Sequence, residues 1–190
     1  GPVLSQLRRG EEALASYDRA TEADPQYAPA WFNKAYLLQK LARYDEALNA
    51  CSMATRIEPE DFQGWQIQGT LLCQLGRNDE ALNAFNKATD IMPQFAQAWY
   101  SKGIALTRLG RHEESLIAYD QATELAPQFA QFWNDKGIAL SQIGRFEEAL
   151  VAFSQAMAAD SEYVQAKSNK QIILDLLGLV EEPPSTRQPD

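Results

Sequence analysis

The sequence predicts an all-α protein, an α-solenoid of antiparallel helix pairs built from 34-residue repeats. Residues 93–111, PQFAQAWYSKGIALTRLGR, return almost unchanged at 127–145 as PQFAQFWNDKGIALSQIGR. All four tryptophans follow the same 34-residue step, and so do four prolines that precede them. Self-similarity at a fixed period of 20–50 residues is the signature of stacked repeats. The two series are Pro25, Pro59, Pro93, Pro127 and Trp31, Trp65, Trp99, Trp133.

Each period has the pattern of two helices joined by short turns. In residues 96–110, apolar side chains recur at three- and four-residue steps, as on one face of an α-helix, until Gly110 interrupts the pattern. A second periodic run starts at Glu113 and ends before Pro127, with acidic residues in its first turn that suit the positive end of the helix dipole. The small residue Gly103 is expected to let the two helices of a pair approach closely.

This pattern resembles the tetratricopeptide repeat (TPR) family, whose 34-residue unit carries a Trp, a small residue, a large apolar residue, and then Ala, an aromatic residue, Ala and Pro. The second unit departs mildly from it, with Ala35, Ala42 and Cys51 at the small, turn and aromatic positions. The resemblance covers about residues 1–178 and implies a right-handed superhelix of stacked pairs. In the fourth unit the matching residues are Trp99, Gly103, Leu106, Gly110, Ser115, Tyr119, Ala122 and Pro127.

The repeat register divides the chain into units. A partial unit occupies residues 1–27, and it is expected to hold the end of a first helix up to Leu7 and a second helix over Glu11–Ala23. Full units follow at 28–61, 62–95, 96–129 and 130–163. A capping helix at 164–178 and a flexible tail at 179–190 complete the predicted organisation.

The capping helix carries more large apolar residues than one packed face needs. By the repeat register, Ile173, Leu174 and Leu177 face the preceding unit, whereas Ile172 and Leu176 lie nearer the groove. Two interpretations of the second pair stay open. The pair belongs either to an apolar cap that the tail partly covers, or to a self-association surface for another protomer or a missing domain.

Composition and motifs argue against several classes of function. The net charge of −9 disfavours a nucleic acid or an anionic membrane as the main partner. No apolar run approaches the roughly 18 residues that cross a bilayer. The single histidine, His112, stands in a variable turn, and no metal cluster, phosphate loop or nucleophile motif is present. We expect no enzyme activity and no catalytic, cofactor or metal site. Two cysteines that belong to no metal-binding or redox motif, Cys51 and Cys73, indicate a reducing, cytoplasmic location.

The resemblance implies a protein-interaction function, as a scaffold or adaptor. In this family the first helices line a concave groove that binds an extended peptide or a partner helix. The corresponding positions here mix amide and hydroxyl groups with aromatic and Ile side chains, and they vary between units while the packing positions do not. The predicted groove residues are Phe32, Asn33, Tyr36, Gln66, Ile67, Thr70, Tyr100, Ser101, Ile104, Arg108, Asn134, Asp135 and Ile138.

The first helices and the cap are more basic than the rest of the chain, with seven basic side chains against two carboxylates, Asp135 and Asp175. That balance predicts a protein or peptide partner that is neutral to acidic and carries apolar anchors. Two alternatives are a regulatory or substrate-docking segment of a larger enzyme, and a homo-oligomer formed through the terminal units. The basic residues are Lys34, Lys40, Lys102, Arg108, Lys136, Lys167 and Lys170.

Overall fold

The computed structural model describes residues 2–179, with side chains described from Arg9 onward. That range contains ten α-helices and no strand, and none of these helices is long and apolar enough to cross a membrane. The predicted tail lies outside the described residues from Val180 onward. The helices are α1 (Pro2–Ala23), α2 (Ala28–Lys40), α3 (Tyr44–Ile57), α4 (Phe62–Gln74), α5 (Asn78–Ile91), α6 (Ala96–Arg108), α7 (His112–Leu125), α8 (Ala130–Gln142), α9 (Phe146–Ala159) and α10 (Val164–Leu177).

The helices form two compact units, one ending at Arg111 and the other beginning at His112. In the first unit, α2 pairs with α3 and α4 pairs with α5, while α1 packs on α2 and α6 packs on α4 and α5. In the second unit, α8 pairs with α9, α7 packs on α8, and α10 packs on α8 and α9. Within each unit, helices that are consecutive in the chain therefore pack together, as a chain of helix pairs requires.

Aromatic rings of second helices pack directly on glycines of first helices. A Cβ atom added to Gly69 would lie 2.5 Å from Cε1 of Phe85, and one added to Gly137 would lie 2.6 Å from Cε1 of Phe153. In the unit at 28–61 the register places Cys51 opposite Ala35, and both are fully buried. Because a thiol is smaller than a phenyl ring, it leaves room for the alanine methyl. The two departures from the family pattern thus compensate each other.

The turn after each first helix depends on a residue in the left-handed region. Gly76 has φ +74°, and its counterparts Gly110, Gly144 and Gly178 have φ between +67° and +77°. The chain then turns back so that, for example, the Arg77 N–H donates to the Leu72 carbonyl at 2.9 Å. Glycine is favoured there because it has no Cβ to clash with the following carbonyl. Ala42 takes the same conformation, with φ 57°.

The N-terminal partial unit differs from the expectation that a first helix ends near Leu7. Instead, α1 runs without a break over Pro2–Ala23. The register places Arg8 where Gly76 stands in a complete unit. Arginine is a good helix former, and the helix continues through this position.

Each tryptophan is half-buried and is tied to the proline six residues before it. The indole Nε1–H of Trp65 donates to the Pro59 carbonyl at 2.7 Å, and the other three make the same bond at 2.8 to 3.1 Å. The bond satisfies the one polar atom of the ring and joins the start of a first helix to the preceding turn. The matching Pro and Trp series in the sequence therefore reflect one interaction.

The acidic pairs that begin the second helices are partly held by an arginine. Arg77, just before α5, donates two hydrogen bonds of 2.6 Å to the carboxylate of Glu80. Arg43 with Glu46 and Arg145 with Glu148 repeat this arrangement. The hydrogen bonds from the arginine lower the pKa of each of these glutamates. Exposed pairs of this kind contribute little stability, but they orient the first turn of the helix.

On α10, the positions that pack against a second helix in the other first helices hold polar residues. By register, Lys167 takes the tryptophan position and Gln171 takes the glycine position of Gly137. The Gln171 amide donates instead to the Asp175 carboxylate at 2.8 Å. Ile173 and Leu174 are buried on the other side, as the register predicts. Polar residues in place of packing residues are what a capping helix requires.

We expect Gly69→Ala to destabilise the protein by about 1–3 kcal/mol, because the new methyl overlaps the Phe85 ring. Urea unfolding measures the effect. Gly10→Ala is the matched control, since its Cβ would meet only the flexible end of Leu41 at 3.3 Å. Adding Phe85→Leu to Gly69→Ala should recover part of the loss. A Gly69→Ala protein as stable as the wild type would contradict this account of the helix contact.

Candidate functional site

The predicted groove residues of the first unit lie on α2, α4 and α6, and their exposure differs widely. Tyr36 has 55% of its side chain exposed, and Asn33 and Arg108 are also exposed. By contrast, Tyr100 and Ser101 are buried. The half-buried members are Phe32, Gln66, Ile67, Thr70 and Ile104.

In the second unit the predicted groove residues lie on α8. Asp135 and Ile138 are half-buried, whereas Asn134 is buried. The structure therefore corrects the expectation that Tyr100, Ser101 and Asn134 are accessible in a groove. A partner segment has no direct access to these three side chains in this structure.

The burial of Ser101 and Asn134 follows from hydrogen bonds between successive first helices within a unit. The Gln66 amide on α4 donates to the Ser101 hydroxyl on α6 at 2.8 Å, and the Asn169 side-chain amide on α10 donates to Oδ1 of Asn134 on α8 at 2.9 Å. Phe32 on α2 covers Gly64 on α4, where an added Cβ would lie 2.7 Å from the ring. Positions 32, 66 and 134 of the register therefore face the neighbouring first helix rather than a groove.

A different register position supplies the accessible face. It holds Tyr36, Thr70 and Ile104 in the first unit, and Ile138 and Ile172 in the second, and none of these five is buried. The ammonium of Lys40 lies 5.2 Å from the centre of the Tyr36 ring.

In the second unit this face opens into a cavity of about 270 Å³. Ile138, Ile172, Ile173 and Phe153 line it with apolar surface, and Ser141, Gln142 and Asn169 add polar groups. Such a combination suits an apolar side chain accompanied by hydrogen-bonding backbone. We refer to residues 36, 70, 104, 138 and 172 as the open positions.

Three lysines counted on the first helices have structural partners. Lys34 forms an ion pair of 2.7 Å with Asp18, and Lys136 forms one of 2.6 Å with Asp120. The ammonium groups of Lys34, Lys102 and Lys136 also lie 4.8 to 5.3 Å from the centres of the tryptophan rings three residues earlier. These cations contribute less to the binding face than the sequence count suggests. The Trp-x-x-Lys spacing in the sequence indicates this contact between lysine and tryptophan, because residues three apart share a helix face.

The two cysteines are free thiols. Burial raises the pKa of Cys51 to about 12, and burial also raises the pKa of Cys73. Cys51 is fully buried and its Sγ lies 3.5 Å from the Gly64 carbonyl, as a structural thiol does. Neither environment favours the thiolate that nucleophilic chemistry needs.

Stacked helix pairs with a variable open face define a helical-repeat protein-interaction module, a class that is generally non-enzymatic. The particular family is the tetratricopeptide repeat family, to which this chain belongs. Three tetratricopeptide repeat models match residues 4–71, 68–128 and 118–151. Comparison with curated protein sequences gave no significant match.

Solved structures confirm the fold class. YrrB, a TPR protein with an unusual peptide-binding site, has a TM-score of 0.77 at 25% identity, over 90% of this chain and 88% of YrrB. MamA has a TM-score of 0.79 at 17% identity, over 85% of this chain and 94% of MamA. TTC0263, a thermophilic TPR protein of Thermus thermophilus, has a TM-score of 0.67 at 20% identity, over 92% of this chain and 95% of TTC0263. The predicted all-α solenoid of helical repeats is correct.

The Gln66–Ser101 bond gives a test of how the first helices are joined. Ser101→Ala should destabilise the protein by about 1–3 kcal/mol, because it leaves the Gln66 amide without its acceptor. Gln66 Oε1 is already buried without a partner. Gln66→Met, which replaces the amide with an apolar chain of similar length, should cost less, and so should the double variant. Urea unfolding compares the three. Equal losses in all of them would contradict the assignment.

Proposed function

We propose that this chain is an adaptor or scaffold that binds an extended or helical segment of a protein partner on its open first-helix positions. The observation that carries the proposal is the open face of the first unit. Tyr36 stands exposed there beside Lys40, and Thr70 and Ile104 follow at the same register position. YrrB, 25% identical over 90% of this chain, is a TPR protein with a peptide-binding site, which supports a peptide-like partner.

The chemistry of the partner follows from the groups that remain accessible. Helices α2, α4 and α6 contain no carboxylate, and Lys40 and Arg108 are exposed on them. The Arg108 guanidinium donates to the Cys73 carbonyl at 3.2 Å, and the residue remains exposed. A neutral to acidic segment with apolar anchors fits this face. In the second unit, the cavity beside Ile138 and Ile172 suits an aliphatic side chain.

Asn33, Ile67 and Asp135 stay in the proposal as side chains that flank the open positions. Five other predicted residues set the spacing of the first helices: Phe32, Gln66, Tyr100, Ser101 and Asn134. We place the protein in a reducing compartment such as the cytoplasm, because it has two free thiols. The same binding role would serve a regulatory or substrate-docking segment of a larger enzyme.

Self-association is a second candidate, favoured by one observation. Ile172 and Leu176 on α10 expose 61% and 64% of their side chains, which is unusual for two large apolar residues one turn apart. Ile172 also lines the cavity of the second unit, so a second copy and a partner segment would compete for the same surface.

Tyr36→Ser is the direct test of the open face. Peptides selected from a random display library on the wild-type protein should lose binding to this variant and should be neutral or acidic. Their affinity should fall as salt rises. Tyr27→Ser is the matched control, because Tyr27 is exposed to a similar extent, 52%, in the turn before α2. Peptides that bind both variants equally, or that are predominantly basic, would contradict the proposal. Tyr100→Ala is unsuitable, since it would remove a buried ring.

Sedimentation of the wild type and of Ile172→Glu/Leu176→Glu tests the second candidate. A dimer or larger species that becomes a monomer in the double variant supports association through α10, because carboxylates oppose apolar burial. Val151→Glu, at a residue 62% exposed on α9, controls for the added charge. A wild-type protein that sediments as a monomer at high concentration ends this idea.

A further inference from the structure

Two crevices in the first unit each lie between two second helices and are floored by a first helix. In the first of them, α1 and α3 flank α2, and the Lys34–Asp18 ion pair of 2.7 Å joins the α2 floor to the α1 wall. This crevice has a volume of about 180 Å³. The lysine also lies 5.3 Å from the centre of the Trp31 ring, so its charge is paired on one side and rests on an aromatic face on the other.

The next crevice, between α3 and α5 over α4, lacks both members of that ion pair. The register places Gln68 at the lysine position and Ser52 at the aspartate position. Gln68 turns to its own neighbours, donating to the Ser52 hydroxyl at 3.3 Å and accepting from the Thr55 hydroxyl at 3.1 Å. This crevice has a volume of about 410 Å³, more than twice that of its counterpart.

The substitution also changes the surroundings of one tryptophan. Three tryptophans have a lysine ammonium 4.8 to 5.3 Å from the ring centre, supplied by the residue three positions later. For Trp65 that residue is the uncharged Gln68. Trp65 lines the enlarged crevice, so the ring that carries a cation in the sister repeats borders an open cavity here.

We propose that this crevice, which we call the Trp65 crevice, binds a primary alkylammonium group such as the lysine side chain of a protein partner. The guest takes the place that Lys34, Lys102 and Lys136 occupy in the sister repeats. Leu48 on α3 and Leu72 on α4 line the crevice and suit the methylene chain. The Trp65 ring attracts the cation through its π face.

Oxygen atoms for the ammonium come from uncharged side chains. Asn49, Asn83 and Ser52 all line the Trp65 crevice, and an ammonium group has three N–H donors to share among them. By register, Asn49 and Asn83 correspond to Ile117 and Val151, which expose 63% and 62% of their side chains. The amide pair is thus a local feature of the α3–α4–α5 repeats.

The charges around the Trp65 crevice set the strength of binding. Arg77 and Glu80 both line it, but their two hydrogen bonds of 2.6 Å neutralise the pair. Lys87 is an exposed residue of the rim and repels an incoming ammonium. Its removal should therefore strengthen binding of a cation and weaken binding of an anion.

The test uses n-butylammonium chloride as the probe and the tryptophan indole N–H resonances as the readout. The Trp65 resonance is identified by its absence in Trp65→Phe. It should shift as butylammonium is added, and the shift should saturate. Gln68→Lys/Ser52→Asp, which restores the ion pair of the sister crevice, should abolish the shift. Lys87→Gln should tighten binding. The reciprocal variant Lys34→Gln/Asp18→Ser should open the first crevice and make the Trp31 resonance respond.

Three results would overturn the proposal. The first is an equal shift of all four indole resonances, and the second is an unchanged Trp65 response in Gln68→Lys/Ser52→Asp. The third is a Trp65 response to sodium butyrate that is stronger than the response to butylammonium and that Lys87→Gln weakens. The peptide acetyl-Gly-Lys-Gly-amide identifies the source of the group. Tighter binding of this peptide than of butylammonium indicates a partner's lysine, and equal binding indicates free amines. Thermal unfolding of each variant confirms that the fold is intact, since both restored residues occur in the sister repeats.

Discussion

The packing of a second-helix side chain on a small first-helix residue sets the spacing of these helix pairs, and the other contacts depend on it. The Phe85 ring occupies the space that a Gly69 side chain would fill, and Phe153 does the same at Gly137. With that spacing fixed, Trp65 and Trp133, near the starts of α4 and α8, reach the carbonyls of Pro59 and Pro127. The spacing also brings Gln66 within hydrogen-bond distance of Ser101 on the next first helix. A methylene added at the glycine would be felt throughout the pair.

The fold was predictable because the residues that specify it recur with the period of the structure. Pro, Trp and Gly each mark a fixed point of the unit, and any one unit confirms the others. The exception was α1, because a single partial unit has no internal copy for comparison. The departure at Ala35 and Cys51 was visible in the sequence, but its meaning required the geometry of the Gly69–Phe85 contact.

The binding face was harder to predict, because a repeat register gives the position of a residue but not the direction of its side chain. Tyr36 and Tyr100 were both expected to line a groove, yet Tyr36 is exposed and Tyr100 is buried. The lysines raised a similar difficulty. Lys34 and Lys136 look like free surface charge in the sequence, whereas in the structure each bridges to an aspartate of the preceding second helix. Side-chain partners 16 residues away cannot be assigned from a helical pattern alone.

The alanine at position 42 shows how such an array can diverge. It holds φ 57° where the other turns use glycine, and an L-residue in this region costs about 1–2 kcal/mol. The turn keeps its form because the Arg43 N–H still donates to the Leu38 carbonyl at 2.9 Å, the same bond that closes the glycine turns. The hydrogen bond within the turn thus remains after the glycine has been replaced by alanine. Over evolutionary time, a repeat of this kind can become unrecognisable by sequence while it remains superimposable in space.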